Sequence, residues 1–260
     1  ACSDLDREFI ESLSDSDTVL YVKIEPVEIK GIIFDFDDTL EDWSSIAKKR
    51  NEEVAEHVSK KFDITKEKFL MCYKEAVSEC HKKGTEEMGK FDRNIWFRSV
   101  FRKLGVDASE DHIQSITDLY WKKTYEMAEL FPGVRNTISR LSKKYKLGIL
   151  SDSDGKSEIK RERIGKFNIE SFFTAIATGD DIGRNKPDPS CFTYVAEKMG
   201  LKPEECVMVG DNPYRDLISA KKLGMTTIWY KYGYFSDKID KKLNFVDIEI
   251  KEISEIGNIF

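Results

Sequence analysis

Five short runs in the chain are apolar at nearly every position, and helical segments lie between them. A strand that is apolar on both faces is typical of a parallel sheet covered by helices on both sides. Alternation of strands with helices also implies right-handed crossovers between parallel strands. The sequence therefore predicts an α/β fold with a doubly wound parallel sheet. The runs are GIIFDFD, KLGILSDS, FFTAIAT, CVMVGD and TTIWY.

Between the first and second of these runs the strand pattern disappears and four helical patterns replace it. In the second helical pattern Phe69, Tyr73, Ala76 and Cys80 recur at helical spacing, which predicts one buried face. An all-helical domain is therefore expected to interrupt the sheet after its first strand. The four patterns are SSIAKKRNEEVAEHVSKKF, TKEKFLMCYKEAVSEC, FDRNIWFRSVFRKLG and SEDHIQSITDLYWKKTYEMAEL.

These patterns divide the chain into three parts. The α/β core is predicted to comprise residues 30–42 and 131–260, and the inserted helical cap domain residues 43–130. Residues 1–29 form an N-terminal extension, in which TVLYVKIEPVEI has the composition of a strand. Pro26 limits this segment to an edge strand or a bent connection because proline cannot donate a ladder hydrogen bond.

Charge, cysteine usage and hydropathy limit which partners and which cellular location are expected. The net charge of −6, with 48 acidic against 42 basic residues, gives no reason to expect nucleic acid, which requires a basic face. The five cysteines form no CxxC pair and are typical of free thiols in a reducing compartment, so a cytoplasmic location is expected. No apolar run has membrane-spanning length, so no membrane association is expected.

Polar side chains stand at the ends of three predicted strands. Asp35 follows GIIF, Ser151 follows LGIL and Asp211 follows CVMVG. Lys186 lies between the last two, in the loop sequence RNKPDP, which cannot be helical. In a doubly wound sheet, ligands bind beyond the carboxyl ends of the strands. We therefore expect these four side chains to share one site.

The acids of the first strand end suggest phosphoryl transfer. Asp35 and Asp37 are two positions apart, so in extended backbone their side chains point to the same side. A carboxylate can attack phosphorus and form an aspartyl-phosphate. Attack by an anion on a phosphoryl dianion requires a hard cation such as Mg²⁺. Asp35 and Asp211 are the expected carboxylate ligands, and the Asp37 carbonyl is a further oxygen.

The remaining candidates complete this chemistry. The Asp37 side chain is then free to protonate the leaving alkoxide and to deprotonate the hydrolytic water. Ser151 is expected to hold the phosphoryl group, and Lys186 to offset its developing charge. Asp216, five residues after Asp211, is expected to steady the metal site or Lys186.

The ordered set DFDDT, LGILS, NKPDP and GDNPYRD resembles the four motifs of the haloacid dehalogenase-like (HAD) hydrolases over roughly residues 30–250. The helical insertion resembles the cap of the subfamily in which the cap follows the first motif. The resemblance implies a Rossmann-like core, a phosphatase-like activity and Mg²⁺ as cofactor. It implies roles for seven motif residues: Asp35 as nucleophile, Asp37 as acid/base, Thr39 and Ser151 as phosphate or loop contacts, Lys186 as the charge-neutralising lysine, and Asp211 and Asp216 as acidic metal-site residues.

Asp37 separates the reaction types within this family. Members that displace halide lack the second aspartate, so its presence favours phosphoryl transfer. The leading hypothesis is a Mg²⁺-dependent phosphatase of a small phosphorylated metabolite, phosphoglycolate-like or a nucleoside monophosphate. The alternatives are a sugar phosphomutase, a phosphonate-cleaving enzyme using Lys48 or Lys49, and a non-catalytic regulatory module that carries an aspartyl-phosphate. The oligomeric state is left open, a homodimer included.

Two further sets of residues are candidates for substrate contacts. Asp152 follows Ser151 where many relatives have Asn-Gly, which places it in the substrate-binding set; capping of the following helix is its alternative role. In the cap, cationic and aromatic residues could contact the leaving group, although a solvated helix face or simple packing also accounts for them. These cap residues are Trp43, Lys48, Lys49, Arg50, Arg93 and Arg98.

Overall fold

The structure, a computed structural model, describes residues 27–83, 88–239 and 241–260. This part of the chain contains a six-stranded, wholly parallel sheet with the strand order β3-β2-β1-β4-β5-β6. The predicted α/β fold with a doubly wound sheet is therefore confirmed. The strands are β1 (Gly31–Phe34), β2 (Lys146–Ser151), β3 (Ala175–Thr178), β4 (Cys206–Gly210), β5 (Thr226–Tyr230) and β6 (Ile248–Ile250).

The central strand β1 shows why these runs are apolar throughout. Ile32 and Phe34 belong to the hydrophobic cluster on one face of the sheet, whereas Ile33 belongs to the cluster on the other. All three side chains are fully buried. Because successive strand residues point to opposite faces, a strand covered on both sides has no position left for a polar side chain. Each such side chain contributes roughly 1.5–3 kcal/mol to stability by its burial.

The sixth strand, β6, was not predicted from the sequence. It pairs with β5 from Ile228 opposite Ile248 to Tyr230 opposite Ile250. As a three-residue edge strand it is covered incompletely, and its middle residue, Glu249, is exposed. It therefore lacks the continuous apolar run that identifies the inner strands. The extended segment predicted around Pro26 lies almost wholly outside the described residues.

Four long helices follow the first strand, as predicted. Side chains at their N-termini accept hydrogen bonds from first-turn amides: Asp42 from Ser45, Thr65 from Lys68, Asp92 from Asn94 and Ser109 from His112. Such caps satisfy amides that have no partner within the helix. The helices are α1 (Trp43–Phe62), α2 (Lys66–His81), α3 (Arg93–Leu104) and α4 (Glu110–Met127).

The helical insertion has a hydrophobic core of its own. Phe69, Tyr73, Ala76 and Cys80, the face predicted from helical spacing, are all buried in it. Val58 and Phe97 from the neighbouring helices join the same cluster. The two clusters that flank the sheet contain none of these side chains. This separation supports division of the chain at residues 43 and 131, which remains a prediction.

The remaining helices cover the sheet. In one face cluster, Ile138 and Ile164 come from two of them; in the other, Phe192 and Val195 come from a third. These elements are α5 (Val134–Leu141), α6 (Ser157–Gly165), α7 (Gly179–Ile182), α8 (Pro189–Lys198), a π-helix (Pro213–Leu217), α9 (Ile218–Lys222), α10 (Gly233–Ser236) and α11 (Ile256–Ile259).

None of the described helices is both long enough and apolar enough to cross a bilayer.

Candidate active site

The end of β1 lies between the ends of β2 and β4, where the strand order reverses direction. Asp35, the first residue after β1, donates its backbone N–H to Val209 of β4 at 2.9 Å, which fixes the start of the loop. The Asp35 carboxylate accepts a hydrogen bond from Lys186 Nζ at 2.6 Å. The same ammonium lies 2.7 Å from Asp216 Oδ1. All three side chains are buried, so residues far apart in sequence form one compact ionic cluster.

Asp211, at the end of β4, completes an acidic cluster. One carboxylate oxygen each from Asp35, Asp211 and Asp216 lies within 4.8 Å of the others. Asp216 Oδ2 also accepts the Asn212 N–H at 3.1 Å, which orients it. A Cβ at Gly210 would lie 2.3 Å from that same oxygen, so only glycine leaves room for Asp216 here.

Thr39 ties these loops together. Its hydroxyl accepts the Asp211 N–H at 3.1 Å and lies 3.4 Å from Asp35 Oδ2, to which it donates. The side chain is fully buried and does not line the cavity. Of the two predicted roles for Thr39, phosphate contact and loop contact, its position matches the loop contact.

The charges of the cluster do not balance. Asp35, Asp211 and Asp216 face the single ammonium of Lys186, which leaves two negative charges when all are ionised. Burial raises the pKa of Asp35 to about 7, with Lys186 opposing the shift and Asp216 adding to it. Burial and repulsion from Asp216 and Asp35 raise the pKa of Asp211 well above its usual range. A hard divalent cation fits this donor set, because it supplies the two missing charges and prefers carboxylate oxygens.

Addition of Mg²⁺ is expected to raise the melting temperature of the wild-type protein, because a ligand that binds only the folded state adds about 2.7 kcal/mol of stability at one hundred times its Kd. Asp211→Asn should lose most of this increase. Asp247→Asn is the matched control: that carboxylate pairs with Lys221 away from the cluster, and its variant should keep the increase. Thermal unfolding with and without Mg²⁺ measures both. An equal increase in the Asp211 variant would contradict the assignment.

Asp37 lies outside the acidic cluster, and its carboxylate is held by two cations of helix α6. Lys160 Nζ lies 2.5 Å from Asp37 Oδ2, and Arg163 Nη2 lies 2.5 Å from Asp37 Oδ1. Desolvation alone would raise the pKa of Asp37, but Arg163 and Lys160 outweigh it and hold that pKa below its usual range. The Asp37 side chain is therefore ionised. Because Lys160 and Arg163 hold it outside the acidic cluster, it is not a candidate metal ligand here. The Asp37 backbone carbonyl as a metal ligand stays a prediction.

Further buried charges, from three parts of the chain, surround Lys160 and Arg163. Asp154 Oδ2 lies 2.7 Å from Arg163 Nη1 and 3.2 Å from Lys160 Nζ, Glu41 pairs with Arg163, and Arg93 of the cap lies 3.6 Å from Asp154. Three carboxylates and three cations thus neutralise one another, which a group of buried charges requires. We call this set the charge cluster; it comprises Asp37, Glu41, Arg93, Asp154, Lys160 and Arg163.

Sequence reasoning missed Lys160 and Arg163. The signal that could have identified them is their spacing: Lys160, Arg163 and Ile164 are the buried positions of α6 and recur as a buried stripe does. A cation on such a stripe requires a buried carboxylate partner. The sequence alone does not show which face of α6 is buried. The charged segment SEIKRERIG is therefore typical of a solvent-exposed helix.

The residues at the end of β2 differ in their access to the cavity, and the phosphate contact of Ser151 stays a prediction. The Ser151 hydroxyl is buried without a hydrogen-bond partner among the described residues and does not line the cavity, whereas Asp152, Ser153 and Asp154 do. Asp152 accepts the backbone N–H of Lys186 at 2.8 Å and pairs with Arg215. It does not cap helix α6, which starts without a side-chain cap, so that alternative is wrong: the Lys186 amide and Arg215 occupy its carboxylate.

Asp38 serves the junction between core and cap. Its backbone is left-handed, with φ of 57°, and its carboxylate accepts the Ser44 N–H at 2.7 Å and the Ser44 hydroxyl at 2.5 Å. Burial raises its pKa to about 6, although Ser44 opposes the shift. Asp38 is thus the acid of this loop that holds the start of the cap.

A cavity of about 410 Å³ lies between the cap and the sheet. Of the predicted cap contacts, Trp43, Arg50 and Arg93 line it, whereas Lys48 and Lys49 are exposed elsewhere and Arg98 pairs with Glu110 at the surface. Several other aromatic and polar residues that line the cavity were not predicted from the sequence. The additional cap and core residues that line the cavity include Asn51, Tyr73, Trp96, Tyr120 and Arg215.

Comparisons with known proteins agree with this geometry. A family model described as haloacid dehalogenase-like hydrolase matches residues 32–230. Glyceraldehyde 3-phosphate phosphatase of Pyrococcus furiosus is 29% identical over 230 residues, which cover 88% of this chain and 91% of that protein. Human N-acylneuraminate-9-phosphatase is 26% identical over 206 residues, which cover 77% of this chain and 82% of that protein. The crystal structure of an HAD phosphatase from Thermococcus onnurineus superposes with a TM-score of 0.68 at 25% identity. The superposition covers 89% of this chain and 97% of that one.

Proposed function

The chain belongs to the haloacid dehalogenase-like hydrolases and is a phosphomonoester hydrolase of that family, and from this premise we propose that it hydrolyses a small phosphorylated metabolite through an aspartyl-phosphate on Asp35, with Mg²⁺ as cofactor. One observation carries the proposal. The Asp35 carboxylate lines the cavity and lies between the Lys186 ammonium, 2.6 Å away, and the acidic pair Asp211 and Asp216.

In the first step an Asp35 carboxylate oxygen attacks the phosphorus atom, and the bond to the leaving oxygen breaks. Asp35, Asp211 and Asp216 would hold the Mg²⁺, which offsets phosphoryl negative charge when bound. Lys186 Nζ, fixed by two carboxylates and by the Asp152 contact to its own backbone, adds a positive charge beside the nucleophile. Both charges act in a buried site, where electrostatic stabilisation is stronger than in water.

Asp37 moves the protons in this proposal. Because Lys160 and Arg163 keep it ionised, it is prepared to act as the base that takes a proton from the hydrolytic water in the second step. In the first step it must first carry a proton to the leaving alkoxide. The proton that Asp37 takes from the water in the second step is the one that it gives to the leaving alkoxide in the next turnover, and the negative charge of an incoming phosphoryl group favours the protonated form of Asp37.

The substrate class is supported by the relatives. Two of these relatives are named as phosphatases of glyceraldehyde 3-phosphate and of an N-acylneuraminate 9-phosphate, both small phosphorylated sugars. A cavity of about 410 Å³ with aromatic walls accommodates a leaving group of this kind. We therefore propose a small phosphorylated sugar or sugar-derived acid. A phosphoglycolate-like substrate falls within this class, and a nucleoside monophosphate stays an alternative without further support.

The other reactions have less support. A Schiff-base lysine must be desolvated to be a neutral nucleophile, and Lys48 and Lys49 are exposed. A regulatory module would have to preserve its aspartyl-phosphate, whereas here an ionised carboxylate, Asp37, follows the nucleophile by two residues. A phosphomutase would use the same residues, and it is separated from a phosphatase by its product.

Incubation of the protein with p-nitrophenyl phosphate and Mg²⁺ is expected to release inorganic phosphate continuously, and removal of the metal by a chelator should reduce the rate to background. Excess Mg²⁺ should restore it, because the acidic cluster requires the cation to neutralise it. A colorimetric phosphate assay measures both states. Turnover that is unaffected by chelation would contradict the metal assignment. Isomerised sugar phosphates without free phosphate would favour the mutase.

A further inference from the structure

Arg50 is a buried cation on the cap side of the cavity, and no carboxylate pairs with it in the part of the chain that the structure describes. Its side chain is 2% exposed. Nε lies 3.3 Å from Asn51 Oδ1 and Nη1 lies 3.4 Å from Thr124 Oγ1, and both acceptors are neutral. A buried charge without an opposite charge is unfavourable, so a structure that retains one calls for an explanation.

Four of the other buried cations among the described residues do not share this situation. Each of them lies within ion-pair distance of at least one carboxylate, from Asp35, Asp37, Asp154 or Asp216. Carboxylates of the core thus compensate the charge of all four. The four are Arg93, Lys160, Arg163 and Lys186.

The surroundings of Arg50 leave one part of it available to a ligand. Its guanidinium lies 4.4 Å from the ring centroid of Trp43 and 4.3 Å from that of Tyr120. These rings stabilise the cation through its faces and restrict its orientation. Hydrogen bonding then falls to the edge of the guanidinium, which matches a planar, two-oxygen acceptor in the same plane. Arg50 lines the same cavity as Asp35, so such an acceptor would belong to the bound substrate.

We propose that Arg50 binds a carboxylate on the leaving group, so that the substrate is a small phosphorylated carboxylic acid. This inference rests on the proposed phosphatase function and narrows its substrate. The charge favours a carboxylate over a second phosphate, because Arg50 offers one uncompensated positive charge whereas a phosphate group carries about −1.5 to −2. The other guanidiniums at the cavity, Arg93 and Arg215, already pair with Asp154 and Asp152.

The experiment compares three-carbon phosphates that differ only in the group at the carbon remote from the first phosphate: a carboxylate in 3-phosphoglycerate, a hydroxyl in glycerol 3-phosphate and a second phosphate in glycerol 1,3-bisphosphate. We expect kcat/KM of the wild type to be highest for 3-phosphoglycerate. In Arg50→Met, which keeps an unbranched stem between the two rings, kcat/KM for this acid should fall by about 10- to 100-fold, as expected for loss of a charged hydrogen-bonding partner. The value for glycerol 3-phosphate should stay within about threefold, because it makes no such bond.

Arg98→Met is the matched control, since Arg98 is an exposed cap arginine paired with Glu110. This substitution should leave kcat/KM unchanged for both 3-phosphoglycerate and glycerol 3-phosphate. Arg50→Lys keeps the charge without the planar fork and should lose an intermediate amount, for the acid alone. If Arg50→Met fails to fold, inhibition of the wild type decides: glycerate should compete with p-nitrophenyl phosphate and glycerol should not.

Several results would overturn the inference. Equal losses of kcat/KM for all three compounds in Arg50→Met would show that Arg50 only packs the cap. Preference for the bisphosphate, removed by the same substitution, would assign Arg50 to a second phosphate. Turnover of p-nitrophenyl phosphate without discrimination between glycerate and glycerol would overturn the inference alone. Absence of that turnover would overturn the proposed function and the inference together.

Discussion

Asp35→Asn is expected to lower kcat for phosphate release by about 10³-fold or more, because the amide cannot attack phosphorus and no other group replaces a covalent nucleophile. The fold should persist. Lys186 keeps its second carboxylate, Asp216, at 2.7 Å, and the substituted side chain has nearly the same shape. Steady-state phosphate release gives the rate, and circular dichroism with thermal unfolding gives the folded state. Mass spectrometry of acid-quenched enzyme should find a phosphorylated form in the wild type and none in the variant.

Asp38→Asn is the matched control for this experiment. It makes the same chemical change three residues later, in a carboxylate that holds Ser44 at the start of the cap. Asparagine tolerates the left-handed backbone at this position, so kcat should change by less than about tenfold. Comparable losses in both variants would mean that negative charge in this loop, and not nucleophilic attack by Asp35, determines the rate.

Lys186→Met is expected to affect both activity and stability. It leaves Asp35 and Asp216 buried beside Asp211 without their cation, and removal of one partner of a buried ion pair costs about 3–5 kcal/mol. Turnover should fall by about 10²- to 10³-fold, because a charge next to the nucleophile is lost. Added Mg²⁺ should recover part of the stability, since the cation meets the excess negative charge, but it should not recover turnover. Chemical denaturation and phosphate release measure the two effects.

Lys221→Met separates this effect from the general loss of a lysine. Lys221 lies 2.5 Å from Asp247. Both side chains are partly exposed, Lys221 at 39% and Asp247 at 33%. An exposed pair of this kind contributes less than about 1 kcal/mol, and activity should not change. A small stability loss in Lys186→Met, similar to that of Lys221→Met, would show that the buried cluster does not depend on its lysine.

The inner strands and the four cap helices could be predicted from the sequence because burial on defined faces sets their patterns. β1 must be apolar at every position because Ile32, Ile33 and Phe34 contact two different cores. The face of α2 repeats at Phe69, Tyr73, Ala76 and Cys80 because one side of that helix meets its neighbours. β6 was missed because an edge strand of three residues with Glu249 at its centre lacks either pattern.

The residues at the strand ends could be predicted for a related reason: parallel strands bring the residues at their carboxyl ends to one edge of the sheet. Asp35 and Asp211 could thus be grouped from the sequence, whereas Lys186 joined them through its place in the loop RNKPDP. The environment of Asp37 could not, because Lys160 and Arg163 are indistinguishable from surface cations until α6 is packed. The same holds for Arg50, whose burial depends on how helices α1 and α4 meet.

The charge cluster crosses the boundary between the two halves of the molecule. Arg93 comes from the cap, whereas Asp154, Lys160 and Arg163 come from the core, and Trp43 of the cap lies 4.2 Å from the Arg163 guanidinium. A chimaera that receives the cap of a relative would therefore have to receive an arginine at the matching place, or its core would retain an excess carboxylate. Substitutions at these sites are expected to preserve stability only when they are made in compensating pairs, one in the cap and one in the core.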